Sequence, residues 1–214
     1  LIIFAPFKKL TELKMGNKEI QEERMRGYFI QATKDILKGE GLKALSVRNI
    51  ADRAGYSYAT LYNYFKDVKD LIFECVKDFR EEASQFIAEQ TQDKEEGPPK
   101  IKGICSAYVG YFVQYPGIFE LFYLEKMSDI AFRQPTAGFI HNFLGDELKD
   151  DLEACIDRQL ITPEKAAEMI ALLNNLLAGQ LLYYLNRRHP QSWTDFMKTV
   201  ESQINSVIRF YLLS

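Results

Sequence analysis

The chain has 214 residues, of which 47% are hydrophobic and 27% are charged, and its formal net charge is −3. This length allows one or two domains with a substantial core, and the composition argues against a wholly disordered chain. No run of about 18 uninterrupted apolar residues is present, so we expect no membrane-spanning helix and no membrane partner. The acidic net charge, taken alone, does not indicate a polyanionic partner.

The charge is unevenly distributed along the chain. Residues 1–70 contain 13 Lys or Arg and 9 Asp or Glu, a net charge of +4, whereas residues 71–214 contain 14 and 21, a net charge of −7. A positive end on an acidic chain is a hint of a surface that faces nucleic acid. The alternative is chance scatter of charges among helices.

The three cysteines, Cys75, Cys105 and Cys155, are widely separated, odd in number and outside any C-x-x-C pattern. This spacing indicates neither a disulfide framework nor a zinc site. We therefore expect reduced and mostly buried thiols, a cytoplasmic protein, and no metal or cofactor.

Apolar residues recur three and four positions apart along nearly the whole chain, and alternating strand patterns bounded by hairpin turns are missing. We predict an all-α fold of about nine helices. They lie near residues 18–39, 46–54, 57–65, 70–90, 100–114, 117–128, 136–158, 162–188 and 192–212. Residues 1–14 precede Met15 and are expected to be an extension ahead of the folded part.

Residues 46–65 predict two short helices joined by a turn, which is the helix-turn-helix pattern. Ser46 is a good N-cap for the first helix, Gly55 lies in the turn, and Ser57 can cap the second helix. The second helix presents polar or amphipathic side chains that can meet phosphates and base edges, at Ser57, Tyr58, Thr60, Asn63 and Tyr64.

The same window contains the pattern I-A-x-x-A-G-x-S-x-x-T-L-Y-x-Y-F-x-x-x-x-x-L, which runs from Ile50 to Leu71. This pattern resembles the DNA-binding signature of TetR-type transcriptional regulators. The resemblance covers residues 18–72, roughly a quarter of the chain, and the remainder agrees only in length and helical layout. Tyr56 departs from the pattern, because such regulators more often carry a small β-branched residue there, and we expect it to pack at the turn.

The resemblance implies roles in the second helix, which would be the recognition helix in the major groove. Its first residues, Tyr58, Ala59 and Thr60, would face bases. Tyr62 and Tyr64 resemble aromatic residues whose hydroxyls bind phosphates. The alternatives are that the two tyrosines belong to the core and that Thr60 is a structural contact within the helix.

Further positions of the resemblance lie around that helix. Ser46 and Arg48 would touch the DNA backbone from the preceding helix, and Lys69 resembles the basic residue that holds the next phosphate. Ser57 and Asn63 complete the predicted DNA-binding set. For Arg48 the alternative is a solvated surface charge.

The C-terminal portion of the resembling family holds a ligand pocket between helices. We predict that an apolar effector would contact aromatic residues there, with His141 and Gln180 as polar anchors. The predicted ligand-binding residues are Tyr111, Phe119, Phe122, Tyr123, His141, Phe143, Gln180 and Tyr184. The alternative is that aromatics at helical spacing form an ordinary core, and that His141 lies at the surface or satisfied in the core.

The last two predicted helices suggest a subunit interface. Residues 170–185 are apolar at all but three positions, Asn174, Asn175 and Gln180, and such a helix must be covered on more than one side. The final helix adds an apolar stripe from Phe196 to Tyr211. Two such helices from each of two subunits would make a four-helix homodimer interface. The alternative is that both faces pack inside one subunit.

We therefore predict an extension at residues 1–17, a helix-turn-helix DNA-binding domain at 18–69, and a helical ligand-binding and dimerisation domain at 70–214. The predicted function is a ligand-responsive transcriptional regulator, expected to be a repressor. It would bind a palindromic operator in double-stranded DNA as a dimer, and a small apolar or amphipathic effector would release it. No catalytic motif indicates an enzyme. The alternatives are a helical protein-interaction adaptor and an all-helical enzyme without a recognisable motif.

Overall fold

The computed structural model describes residues 16–125, 134–187 and 189–212, and the predicted extension at residues 1–14 lies outside them. Throughout these ranges the chain forms helices and connecting turns without a β-strand, so the all-α prediction is confirmed. A 3₁₀ turn, Leu42–Ala44, follows the first helix. The α-helices are α1 Asn17–Gly39, α2 Val47–Ala54, α3 Tyr58–Tyr64, α4 Val68–Thr91, α5 Pro98–Gln114, α6 Pro116–Phe119, α7 Gln134–His141, α8 Phe143–Asp157, α9 Pro163–Arg187 and α10 Trp193–Leu212.

Local signals in the sequence determine where the two short helices begin. Ser46 Oγ accepts a hydrogen bond from the Asn49 N–H at 3.1 Å and caps α2, and Ser57 Oγ accepts from the Thr60 N–H at 3.1 Å and caps α3. Gly55 ends α2 with φ +78°, in the left-handed region that favours glycine. The predicted caps and turn are therefore confirmed.

Two predicted helices differ from the structure. The helix predicted at 117–128 is the short α6 followed by a π-helical turn, Glu120–Leu124, in which the Glu125 N–H donates to Glu120 O at 3.0 Å. Its last residues, 126–128, lie outside the described ranges. The helix predicted at 136–158 is divided at Asn142, whose φ −85° and ψ −4° depart from helical values. The described residues accordingly form ten α-helices. The two parts of the divided helix have different neighbours, since α7 packs on α4 whereas α8 packs on α5.

The first three helices form a small unit that α4 connects to the rest. Phe29, Ile50 and Leu61, one from each helix, are fully buried at its centre. α4 packs against both α1 and α5. α6 also touches the N-terminal unit, since a Cβ added to Gly117 would lie only 2.1 Å from Leu37 O. Glycine is therefore required where the α6 backbone meets the end of α1.

The remaining helices surround α5, which contacts α4, α8, α9 and α10. The cysteines Cys75, Cys105 and Cys155 are free and buried, and burial raises the pKa of each thiol, to about 12 for Cys105. These thiols are poor nucleophiles, because only the thiolate reacts readily. Within the described ranges, every helix is too short or too polar to span a membrane.

Candidate nucleic-acid interface

The polar face of α3 lies outward because its opposite face is buried. Leu61 is fully buried in the N-terminal core, whereas Tyr58 and Tyr62 expose 66% and 50% of their surface. Ala59 and Asn63 are exposed on the same short helix. The structure therefore brings four of the predicted DNA-binding residues to one accessible surface, on a helix whose opposite face is buried.

The first turn of α3 is organised by two hydroxyls. Ser57 is exposed, and its Oγ lies 2.9 Å from Thr60 Oγ1 while it also accepts the Thr60 N–H. Thr60 is half-buried, so its hydroxyl takes part in capping the helix. The structural role that the sequence left open for Thr60 is thus present, and its contact with bases stays a prediction.

The two predicted phosphate-binding tyrosines occupy different environments. Tyr64 is half-buried, its ring centroid lies 6.2 Å from that of Phe29, and its carbonyl accepts a hydrogen bond from the Arg26 guanidinium. Arg26 is held in turn over the Phe65 ring, 4.3 Å from the centroid. Tyr64 therefore contributes to the core, and the exposed Tyr62 is the better placed of the two for phosphate contact.

The predicted backbone contacts flank α3 on both sides. Ser46 is exposed at the start of α2, and the Arg48 side chain is 89% exposed with its Nε 3.9 Å from Asp52 Oδ2. Lys69 is exposed in the first turn of α4 and has no ion pair within the described ranges. A lysine without a competing carboxylate is available to an external phosphate.

An aromatic pair that the sequence did not suggest lies beside the turn. Tyr56 packs at the turn as predicted, with its ring centroid 5.7 Å from that of Phe29. Its other neighbour is Tyr28 of α1, which is 53% exposed and stacks on it at 6.1 Å and an interplanar angle of 29°. No local pattern reveals this surface, because the contact joins α1 to the turn. Lys43 and Lys66 are further exposed cations near α2 and α3 that the sequence analysis did not select.

Ion pairs connect the N-terminal unit to α4. Lys34 Nζ lies 3.1 Å from Asp78 Oδ2 and 2.5 Å from Glu82 Oε1, and Lys38 also pairs with Glu82. Burial of Lys34 disfavours its charged form, but the hydrogen bonds to Glu82 and Asp78 outweigh burial and raise its pKa. Lys34 is therefore charged at neutral pH, and α1 and α4 are held together by a charge network as well as by apolar packing.

Five of the predicted ligand-binding residues form one aromatic cluster around Phe112. Neighbouring ring centroids in the cluster lie 5.2 to 6.5 Å apart, in tilted or edge contacts. The rings thus fill the space between the helices, and a ligand would have to displace them. The members are Tyr111, Phe119, Phe122, Tyr123 and Phe143.

The hydroxyls of this cluster are bonded within the protein. Tyr111 donates to Phe79 O at 3.3 Å, and the Tyr123 and Tyr108 hydroxyls bond to each other. Burial raises the pKa of all three phenols. The phenols of the cluster are therefore neutral at physiological pH and bonded inside the protein, and the role of the cluster as a ligand site stays a prediction.

The other three predicted ligand residues lie apart from the cluster. His141 is exposed at the end of α7. Gln180 on α9 donates from Nε2 to Gln203 Oε1 on α10 at 2.8 Å. Tyr184 stacks on Phe196 with centroids 4.0 Å apart and an interplanar angle of 12°. Gln180 and Tyr184 therefore join α9 to α10. Across the described residues, His, Cys, Asp and Glu form no group that could hold a metal ion.

Comparison with known proteins agrees with this geometry. Residues 29–75 match the model of the family of bacterial regulatory proteins, tetR family. A protein of unknown function from Rhodococcus sp. RHA1 has a similar structure, with a TM-score of 0.71 and 14% identity over 94% of this chain and 99% of that one. A TetR family transcription regulator from Marinobacter aquaeolei VT8 has a TM-score of 0.62 and 15% identity over 88% of this chain and 97% of its own. RolR in complex with its ligand resorcinol has a TM-score of 0.68 and 14% identity, over 90% and 89% of the two chains.

Proposed function

Because this chain carries the DNA-binding domain of the tetR family of bacterial regulatory proteins in residues 29–75, we propose that it is a ligand-responsive transcriptional repressor. It binds a palindromic operator in double-stranded DNA as a homodimer and is released by a small apolar or amphipathic effector. The observation that carries this proposal is the exposed polar face of α3, held outward by the burial of Leu61. In this proposal residues 18–69 form the DNA-binding domain, and residues 70–214 form the helical domain that binds the ligand and the second subunit.

In the proposed complex α3 lies in the major groove. Tyr58, Ala59 and Thr60 meet base edges, and the other members of the predicted set contact the sugar–phosphate backbone. The exposed Tyr62 hydroxyl and the Lys69 ammonium, which has no ion pair among the described residues, supply the backbone contacts that the geometry favours most. The surplus positive charge of residues 1–70 is small, so affinity depends on two subunits binding together.

The proposed dimer forms through α9 and α10. Besides Trp193, four large apolar residues of these helices are exposed in the single chain, Leu172 at 43%, Leu182 at 42%, Tyr183 at 64% and Phe210 at 70%. Leu172, Leu182 and Tyr183 share one helical face with Gly179, where an added Cβ would meet no atom within 4 Å. A second subunit that covers this face would bury it as a homodimer does. The two-fold axis then matches a palindrome whose half-sites lie about one DNA turn apart.

Effector control is proposed to act through α4. This helix carries Lys69 at its first turn, pairs with α1 through Asp78 and Glu82, and pairs with α8 through Arg80 and Asp146. A ligand that binds better to one position of α4 than to another changes the separation of the two recognition helices. RolR, which shares the fold, binds resorcinol, and this supports a small-molecule effector.

A gel-shift titration with the DNA upstream of the chain's own gene tests the proposal. The expected result is a complex that prefers this DNA over a scrambled duplex of the same length and weakens steeply with added salt. A chain that shows no such complex, even with a library of random duplexes, is not a DNA-binding repressor. That result would favour the protein-interaction adaptor. No observation of the site favours an enzyme, and we propose none.

A further inference from the structure

A solvent-connected cleft lies between the C-terminal part of α4, the outer face of α5 and the first half of α10. Its volume is about 610 Å³, which is within the usual range of small-molecule sites. Small residues of α5 line this space, because Ser106, Ala107 and Gly110 follow one another at helical spacing, and a Cβ added at Gly110 would meet no atom within 4 Å. None of the residues predicted to bind an effector lines the cleft.

Two aromatic side chains from different helices line the cleft. Phe86 belongs to α4 and Trp193 to α10. The Trp193 ring centroid lies 5.9 Å from that of Phe196, and Phe196 is stacked in turn on Tyr184. These two rings therefore fix the position of the indole. Trp193 is nonetheless 44% exposed. An exposed indole and a second aromatic ring in the lining of one cleft suit a flat apolar ligand.

The cleft also contains polar groups that are not satisfied within the protein. Ser106 Oγ is buried and has no hydrogen-bond partner among the described residues. At the rim, Lys102 is neutralised by Glu201 at 3.0 Å, whereas Lys94 has no ion pair within the described ranges. The rim therefore carries one uncompensated positive charge. A buried unpaired hydroxyl is unfavourable, and a ligand that bonds to it removes that cost.

We propose that this cleft binds a flat, apolar organic anion. The ring system lies between Phe86 and Trp193, an acceptor atom takes the Ser106 hydroxyl, and the anionic group lies near Lys94. Its regulatory meaning rests on the proposed function, because α4 carries Phe86 near one end and Lys69 at the other. An occupant of the cleft would thus act on the helix that positions the DNA-binding unit.

Two matched dyes test the proposal on the full chain without DNA. Trp193 is the single tryptophan, so energy transfer from it reports a dye bound nearby. 1-Anilinonaphthalene-8-sulfonate is the anionic dye, and N-phenyl-1-naphthylamine is the same scaffold without the sulfonate. We expect saturable transfer to the anionic dye. Lys94→Gln should weaken the anionic dye by about two- to fivefold, the effect of one exposed ion pair, and leave the neutral dye unchanged.

A cavity-filling variant shows whether the dye occupies this cleft. An added Cβ at Gly110 meets no atom within 4 Å, and leucine favours a helix more than glycine does, so Gly110→Leu should fold. It should weaken both dyes more than tenfold. Gly138→Leu on α7, where an added Cβ also meets no atom within 4 Å, is the control and should change neither dye.

The outcomes separate this proposal from the proposed function. No saturable transfer, or transfer that Gly110→Leu leaves intact, overturns the cleft as a binding site. Saturable transfer that is sensitive to Gly110→Leu but indifferent to Lys94→Gln overturns the anionic specificity. A chain that passes both dye tests and yet binds no duplex in the gel shift supports the cleft and refutes the DNA-binding proposal.

Discussion

Replacing Lys69 by alanine gives the sharpest test of the DNA interface. Lys69 is exposed in the first turn of α4 and has no ion pair in the described part of the chain. Its loss should therefore leave the fold intact and remove one phosphate contact per subunit, or two per dimer. Each neutralised phosphate contributes about 0.9 to the slope of log affinity against log salt, so the slope should become shallower by about 1.8.

The salt dependence converts this slope into a measurable ratio. Between about 50 and about 200 mM salt, a slope difference of about 1.8 reduces the affinity advantage of the wild-type chain by about tenfold. Fluorescence anisotropy with a labelled operator at four or more salt concentrations measures both slopes. Lys198→Ala on α10, an exposed lysine also without an ion pair in the described ranges, is the control. Parallel lines for wild type and Lys69→Ala would refute the phosphate contact.

Three other substitutions test the Tyr62 contact with DNA, the proposed dimer interface and the ion pairs between α1 and α4. Tyr62→Phe removes one hydroxyl and should weaken binding about tenfold or more at every salt concentration, with an unchanged slope because no charge is lost; equal affinity refutes the contact. Tyr183→Glu should give monomers in analytical sedimentation. Leu160→Glu, at an exposed apolar residue outside α9 and α10, is the control and should stay dimeric. A dimeric Tyr183→Glu variant would refute the α9–α10 interface. Glu82→Gln should lower the unfolding free energy by about 1 kcal/mol at pH 7, measured by urea titration.

The Glu82 prediction has a definite pH dependence. Burial opposes ionisation of Glu82, but its hydrogen bonds to Lys34 and Lys38 outweigh burial and lower its pKa below the ordinary value of 4.5. A carboxyl with a lowered folded-state pKa stabilises the fold above its unfolded-state pKa, and that contribution disappears as pH falls through the folded-state pKa. The difference between wild type and Glu82→Gln should therefore shrink below pH 4.5. A constant difference down to pH 3 would contradict the ion-pair explanation.

The parts of the fold that were predicted from the sequence depend on local chemistry. Ser46 and Ser57 cap helices and Gly55 forms a turn through contacts within a few residues, so the positions of these helix ends can be predicted without tertiary structure. The break at Asn142 was missed because nothing local requires it, and it arises from α7 and α8 packing on different helices. A helical spacing of aromatics likewise shows that Phe119 and Tyr123 are inside, but it does not distinguish a filled core from a pocket.

In the candidate site, too, the features set by local sequence were predicted, whereas those set by contacts between helices were not. The motif predicted an outward polar face on α3, and the structure has it. It did not distinguish the exposed Tyr62 from the partly buried Tyr64, because that difference depends on Phe29 and Arg26 of another helix. The cleft beside α5 has a partial signal in the sequence, since Ser106 and Gly110 lie one turn apart on one face of the helix. Only the structure shows that no described residue lies within 4 Å of a Cβ added at Gly110.

The contact between Gly117 and Leu37 limits how this chain can diversify. It is a meeting of main chains, so it has no rotamers to adjust and no side chain to exchange for a slightly smaller one. Around it, the cluster at Phe112 and the cleft beside Trp193 are built from side chains that substitution can reshape. If the C-terminal helices bind an effector as proposed, the preferred effector can change through successive side-chain replacements there. Position 117 must stay glycine throughout, because the contact between α6 and α1 depends on it.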